Sequence, residues 1–191
     1  MYRNLAVRRL MAAGAAASML GAGAAACTKS KAAPVLASPS ASAVNDGVLH
    51  PAFYAAVSAT CVTVEKETAP FTAKISASTS GKPLSDAETL AALRGIDAAF
   101  AKQAKALRAL TPPATIATEY KLRVIDSFAA IEYELDLAVK AAELAAKGSS
   151  YSKTAGYDGK AEIAKAQKAA QAKKTVQAFY TEHGLSACLS G

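Results

Sequence analysis

Tryptophan is absent from this chain, histidine occurs twice, and aromatic residues make up only 6% of its 191 residues. So few flat side chains give little support to stacking on nucleic-acid bases. No Ser or Cys stands in a nucleophile elbow, no Gly-rich loop follows a strand, and no group of His and Cys has the spacing of metal ligands. Nor does one sign of charge dominate. The formal charge is +7, but Arg3, Arg8 and Arg9 sit in the first ten residues, and without them 19 basic side chains face 15 acidic ones, or +4. That is too small an excess to argue for nucleic acid as a partner. What the chain has in quantity is alanine, about a quarter of all residues. With glycine and proline scarce after the first fifty positions, this composition favours long helices over sheet and predicts an all-α protein with a single core.

The first residues read as an address. A short basic end is followed by an uncharged, Ala-rich stretch from Leu10 to Ala26, the layout of a secretory signal. Mostly Ala and Gly, that stretch is shorter than the roughly 20 strongly apolar residues of a membrane-spanning helix. Ala24, Ala25 and Ala26 immediately precede Cys27, and this arrangement resembles the lipobox of bacterial lipoproteins. The resemblance covers residues 1–27 and implies that diacylglycerol is joined to the Cys27 thiol and that the mature chain begins there. Ala24 stands where that family usually has Leu, and Ala24 with Ala26 also satisfies the A-x-A pattern of ordinary signal cleavage, so secretion without an anchor is the alternative. Arg8 and Arg9 resemble a twin-arginine export signal, with Val7 and Met11 departing from it; the general and the twin-arginine routes both stay open.

Three cysteines leave one unpaired in an exported protein, and lipidation of Cys27 accounts for it. Cys61 and Cys188 then stand near the two ends of the folded region and are expected to form a disulfide outside the cytosol. Between anchor and domain, residues 27–47 hold the attachment cysteine and a Ser-, Ala-, Pro- and Lys-rich stretch with no helical or strand period, which reads as a flexible, disordered tether. Lys29 and Lys31 add at most a weak attraction to anionic headgroups.

Helical spacing begins in the region 48–191. Phe53, Val57, Cys61 and Val64 mark a first helix that should end or kink at Pro70, with Phe71 and Ile75 on a kinked or broken continuation up to Ser80. Ser85 and Glu88 form a capping-box pattern ahead of Leu90, Leu93, Ile96 or Asp97, Phe100, Ala104, Leu107 and Leu110, and Pro112 and Pro113 close that second helix. A third, longer helix follows the series Ile116, Tyr120, Val124, Phe128, Ile131, Leu135, Val139 and Ala142 to Gly148. Its outer face carries the i,i+4 pairs Glu119 with Arg123, Asp136 with Lys140 and Glu143 with Lys147. Asp158 is placed to cap a fourth helix whose apolar series is Ile163, Ala166, Ala170, Val176 and Phe179. The expected architecture is a four-helix up-down bundle with a kinked first helix, preceded by the signal peptide (residues 1–26) and the tether.

Chemistry is sparse. Glu132, Glu134 and Asp136 form the densest acidic cluster, but it lacks the Glu-x-x-His spacing of di-iron bundles and reads as a solvated face. His50 and His183 stand at opposite ends of the folded region and would approach each other if those ends meet. A joint metal site is weighed there against the commoner state of single histidines near helix ends, solvated or bonded to the last carbonyls. No metal, cofactor or catalytic residue is expected. The lysines of the fourth helix (Lys160, Lys165, Lys168, Lys173, Lys174) read as a solvated face, with an acidic envelope polymer or a partner as the alternative. The functional expectation is a non-enzymatic lipoprotein on the extracytoplasmic face of the cell membrane, held by its acyl anchor and binding an envelope protein or a cell-wall component. The alternative is a carrier of a small ligand or metal, bound between helices near Tyr54, Tyr120, Tyr133 or Tyr180.

Overall fold

The computed structural model describes residues 50–153 and 157–189, and for Thr79 and Ser80 the backbone alone. The expected signal peptide, Cys27 and the tether lie outside the described residues. Within them the chain is all-helical, with four long helices and no strand.

Helix α1, Pro51–Ser80, starts with its proline in the first turn, where the missing N–H costs nothing. It runs on through Pro70, so the expected break there is absent. Two features hold the stretch together. Thr68 and Thr72 return their hydroxyls to carbonyls of the preceding turn, and Phe71, just past the proline, seats its ring on Gly95 of the next helix. Proline removes one backbone bond, and tertiary packing on the far side can offset that loss.

Helix α2, Asp86–Ala109, begins at the Ser85/Glu88 capping box, in which each side chain meets the other's backbone N–H. Helix α3 starts as Ala117–Tyr120, passes through a π-helical stretch Lys121–Ile125 and continues as Asp126–Ala146. It closes on Gly148 at φ 72°, where Ser149 N–H reaches Leu144 O and Gly148 N–H reaches Ala145 O, a Schellman stop that needs a left-handed residue. Helix α4, Gly159–Glu182, is capped by Asp158, which accepts from the amides of Lys160 and Ala161. It ends on Gly184 with the same motif, Leu185 N–H bonding Tyr180 O.

Each helix packs on the next in sequence, and the short turn Ser186–Cys188 returns to lie on α1. The large core side chains gather at one end of the molecule, where α1 begins, α3 begins and α4 finishes. Val57, Leu107, Val124 and Phe179 are fully enclosed there, with Tyr120, Phe128 and Tyr180 around them. Elsewhere the buried positions are mostly alanine, as at Ala92, Ala99, Ala142 and Ala169.

The inward face of α4 differs from expectation in its first half. Ile163 is 62% exposed, and Ala166 and Ala170 are exposed too; Ala169, Ala172, Val176, Phe179 and Tyr180 are buried instead. Six residues separate Ala170 from Val176, which at 3.6 residues per turn is about 120° out of step, so the two halves of the expected series never shared a face. Burial of Val176, Phe179 and Tyr180 goes with this rotation, in which Lys165 meets the Tyr133 hydroxyl at 2.7 Å and Lys173 meets Glu134 at 2.7 Å.

Candidate functional site

Cys61 and Cys188 are joined in a disulfide, with Cα atoms 5.0 Å apart across a sequence separation of 127. It ties the C-terminal turn to the third turn of α1. Next to it lies a polar network built by three elements. His183, which ends α4, has a side chain only 3% exposed. Its Nδ1 shares a 2.9 Å hydrogen bond with the Tyr54 hydroxyl of α1, and its ring lies over Tyr54 and 4.3 Å from Phe179. Its Nε2 is 3.6 Å from Glu119 of α3.

Arg123 extends the network, donating to Glu119 within α3 and to both carboxylate oxygens of Glu182 on α4, one at 2.9 Å. Its guanidinium also stands 5.8 Å from the centre of the Phe179 ring. The hydrogen bonds from Arg123 hold the Glu182 carboxyl below the usual carboxylate range, and Glu182 in turn raises Arg123 further above its own. Arg123 belongs to the π-helical stretch, a form found often at functional sites. An imidazole between a phenol and a carboxylate can pass a proton or hold three elements in register.

A second feature is an open groove of about 270 Å³ between α1 and α2, beside the disulfide. Ala59, Val64, Ala99 and Ala106 form its apolar walls, Thr60 and Thr63 its polar side, and the Glu67–Lys102 ion pair, at 3.0 Å, its rim. Gln103 lines it too, with only 6% of its surface exposed. The carboxamide nitrogen of Gln103 donates to the sulfur of Cys61 at 3.7 Å.

The acidic cluster is dispersed among separate cations. Glu132 pairs with Arg108, Glu134 with Lys173 and Asp136 with Lys140. Of the expected i,i+4 pairs on α3, those of Glu119 and Asp136 are present, whereas Glu143 reaches across to Arg94 at 2.7 Å. Asp97 of α2 faces this side of α3, and burial first, then Asp136 and Glu132, push its carboxyl pKa up. Among the described residues no group of three or more His, Cys, Asp or Glu side chains is arranged to hold a metal ion.

Three of the four tyrosines of the ligand reading, Tyr54, Tyr120 and Tyr180, share one core cluster, and Tyr133 stands apart from it. Tyr54 belongs to the His183 network, Tyr133 is exposed, and Tyr120 donates to Leu107 O at 2.9 Å. The Tyr180 hydroxyl is buried with no hydrogen-bond partner, and burial raises the pKa of both Tyr120 and Tyr180. His50 caps the start of α1 through its backbone carbonyl. Sequence spacing revealed the Glu119–Arg123 pair, but the link to Glu182, 59 residues away, and the position of Gln103 carried no local signal.

The chain matches no protein-family model, no curated protein and no solved structure.

Proposed function

We propose that the protein is an exported lipoprotein, anchored to the extracytoplasmic face of the cell membrane through Cys27, whose helical domain binds a protein or cell-wall partner and performs no catalysis. The observation that carries this reading is the Cys61–Cys188 disulfide. Such bonds persist in oxidising compartments, which agrees with the signal-like residues 1–26. Two or more acyl chains, at about 0.8 kcal/mol per buried methylene, would hold the domain at a bilayer without a spanning helix. No described helix is long and apolar enough to cross a membrane.

In this reading the four helices run alternately up and down. Packing of each helix on its sequence neighbour supports that order, as does the short connection through Pro112 and Pro113. The non-catalytic part of the reading draws support from the polar groups around His183, which are engaged with one another across three elements as a structural clasp would be. The second reading, a carrier of a small ligand between helices, is favoured by the unpartnered Tyr180 hydroxyl alone.

Intact mass of the protein from its native membrane fraction tests the anchor. A mature chain beginning at Cys27, carrying acyl mass and gaining two protons on reduction, is the expected result; an unacylated soluble chain would overturn it. Crosslinked envelopes should yield one recurring partner on pull-down, and repeated recovery of nothing above background would remove the partner-binding role.

A further inference from the structure

The groove between α1 and α2 holds a polar group whose bonding the fold leaves incomplete. Gln103 is more than nine-tenths buried, yet its amide nitrogen has only the 3.7 Å contact to a disulfide sulfur, and sulfur is a weak acceptor. Its carbonyl oxygen takes no hydrogen bond from the described residues and belongs to a side chain lining the groove. A carboxamide in this state presents one acceptor and a poorly used donor side by side. That is the complement of a peptide group, which offers one N–H and one C=O.

The rest of the groove narrows the choice. No aromatic side chain lines it, so a sugar ring or flat cofactor would have no face to stack on. Ala59, Ala99 and Ala106, with Val64 the one larger apolar side chain, make shallow walls suited to small side chains rather than a deep slot for an acyl chain. Thr60 and Thr63 spend their hydroxyl protons on Val57 O and Ala59 O, which leaves their oxygens able to accept. At the rim Glu67 already neutralises Lys102, so the groove makes no demand for net charge in its occupant. Its volume of about 270 Å³ suits a segment of two or three small residues.

We infer that this groove binds a short, uncharged peptide segment with small side chains, such as an alanine run in an envelope partner, gripped through its backbone by Gln103. The inference rests on the reading of the domain as a partner-binding module and gives that module its contact surface. Recognition is two-point: the Gln103 oxygen accepts a peptide N–H, and its amide turns from the disulfide to a peptide carbonyl.

The test uses the mature protein in detergent, with acetyl-trialanine-amide as the probe and the side-chain amide signals of Gln103 followed by NMR. Binding is expected in the range of about 1 mM, as suits so few contacts, with those signals moving first. Gln103→Leu should weaken it at least about tenfold, the size of a lost pairing to a peptide group, and so should methylation of the peptide nitrogens. Ala106→Leu, which fills the groove without touching Gln103, should abolish it, and unchanged thermal unfolding in either variant shows that the fold is intact. A probe that leaves the Gln103 signals unmoved at saturating concentration, or that binds Gln103→Leu equally well, overturns the proposal. The crosslinked pull-down decides the partner-binding role separately, so failure of the groove and failure of that role are told apart.

Discussion

Phe71 and Gly95 interlock across the α1–α2 interface: a Cβ placed on Gly95 would lie 2.4 Å from the tip of the Phe71 ring. A glycine in mid-helix costs about 1 kcal/mol relative to alanine. Here that cost opens the space in which the residue after Pro70 is seated, and the long first helix depends on it.

Gly95→Ala is therefore expected to destabilise the protein despite its better helix propensity, by about 1–3 kcal/mol as overpacked sites do. Urea denaturation of Gly95→Ala, Phe71→Leu and the double variant would check this. The two changes should be strongly non-additive, because the smaller side chain makes room for the added methyl.

Two buried tyrosines should respond in opposite directions when their hydroxyls are removed. Tyr120 donates to Leu107 O, so Tyr120→Phe should lose about 1 kcal/mol. Tyr180 has a buried hydroxyl with no partner, so Tyr180→Phe should be neutral or stabilising by up to about 1 kcal/mol, since an unsatisfied buried group is removed. Thermal unfolding of the pair under one buffer compares them directly, and a clear loss in Tyr180→Phe would contradict the assignment of an unbonded hydroxyl.

Reduction of the Cys61–Cys188 bond should lower stability by about 2–5 kcal/mol, since it releases a loop spanning nearly the whole domain. Guanidinium denaturation with and without reductant gives the value. Hydrogen exchange should show the first loss of protection at Leu185 and Cys188, whose turn is held on α1 by that bond.

Acid stability should follow two carboxylates of opposite behaviour. Glu182 has its pKa lowered by Arg123, so its contribution is complete above the unfolded value of about 4.3 and fades as pH falls through the lower folded value. Arg123→Gln should raise the pH at which that stability is lost and cost about 1 kcal/mol near neutrality, less at high salt. Asp97 has its pKa raised by burial and by its acidic neighbours, so the native state binds its proton more readily and gains stability as pH falls. Asp97→Asn should accordingly add up to about 0.5 kcal/mol at pH 7, a gain that disappears in acid.

Much of the helix map was legible because local chemistry dictates it. Ser85 with Glu88 starts α2 by bonding that involves no other element, Pro112 and Pro113 stop it, and the Ile116 to Ala142 series holds one face of α3 over seven turns. Pro70 does not end the helix because its cost is local while the compensation, Phe71 on Gly95, is tertiary. Ile163 misled because it is out of step with Val176 and Phe179, and the face carrying those larger buried residues is the one that turns inward. The candidate sites were the least legible. Gln103 is an unremarkable polar residue in sequence, and only the approach of α1 to α2 encloses it; Arg123 reaches its second carboxylate through a π-helical stretch that no residue type announces.

The disulfide also governs how the domain would carry a mechanical load. A pull applied between the two ends of the domain enters α1 on one side of Cys61 and leaves just beyond Cys188, so the sulfur bridge transmits it as a covalent short circuit. The intervening chain, a sequence separation of 127, is bypassed and bears no tension. At about 3.3–3.6 Å per extended residue, only the first turns of α1 and the last few residues can pay out. A domain wired in this way would stay folded under pulling forces that unravel an unbridged one, until a reductant cuts the link.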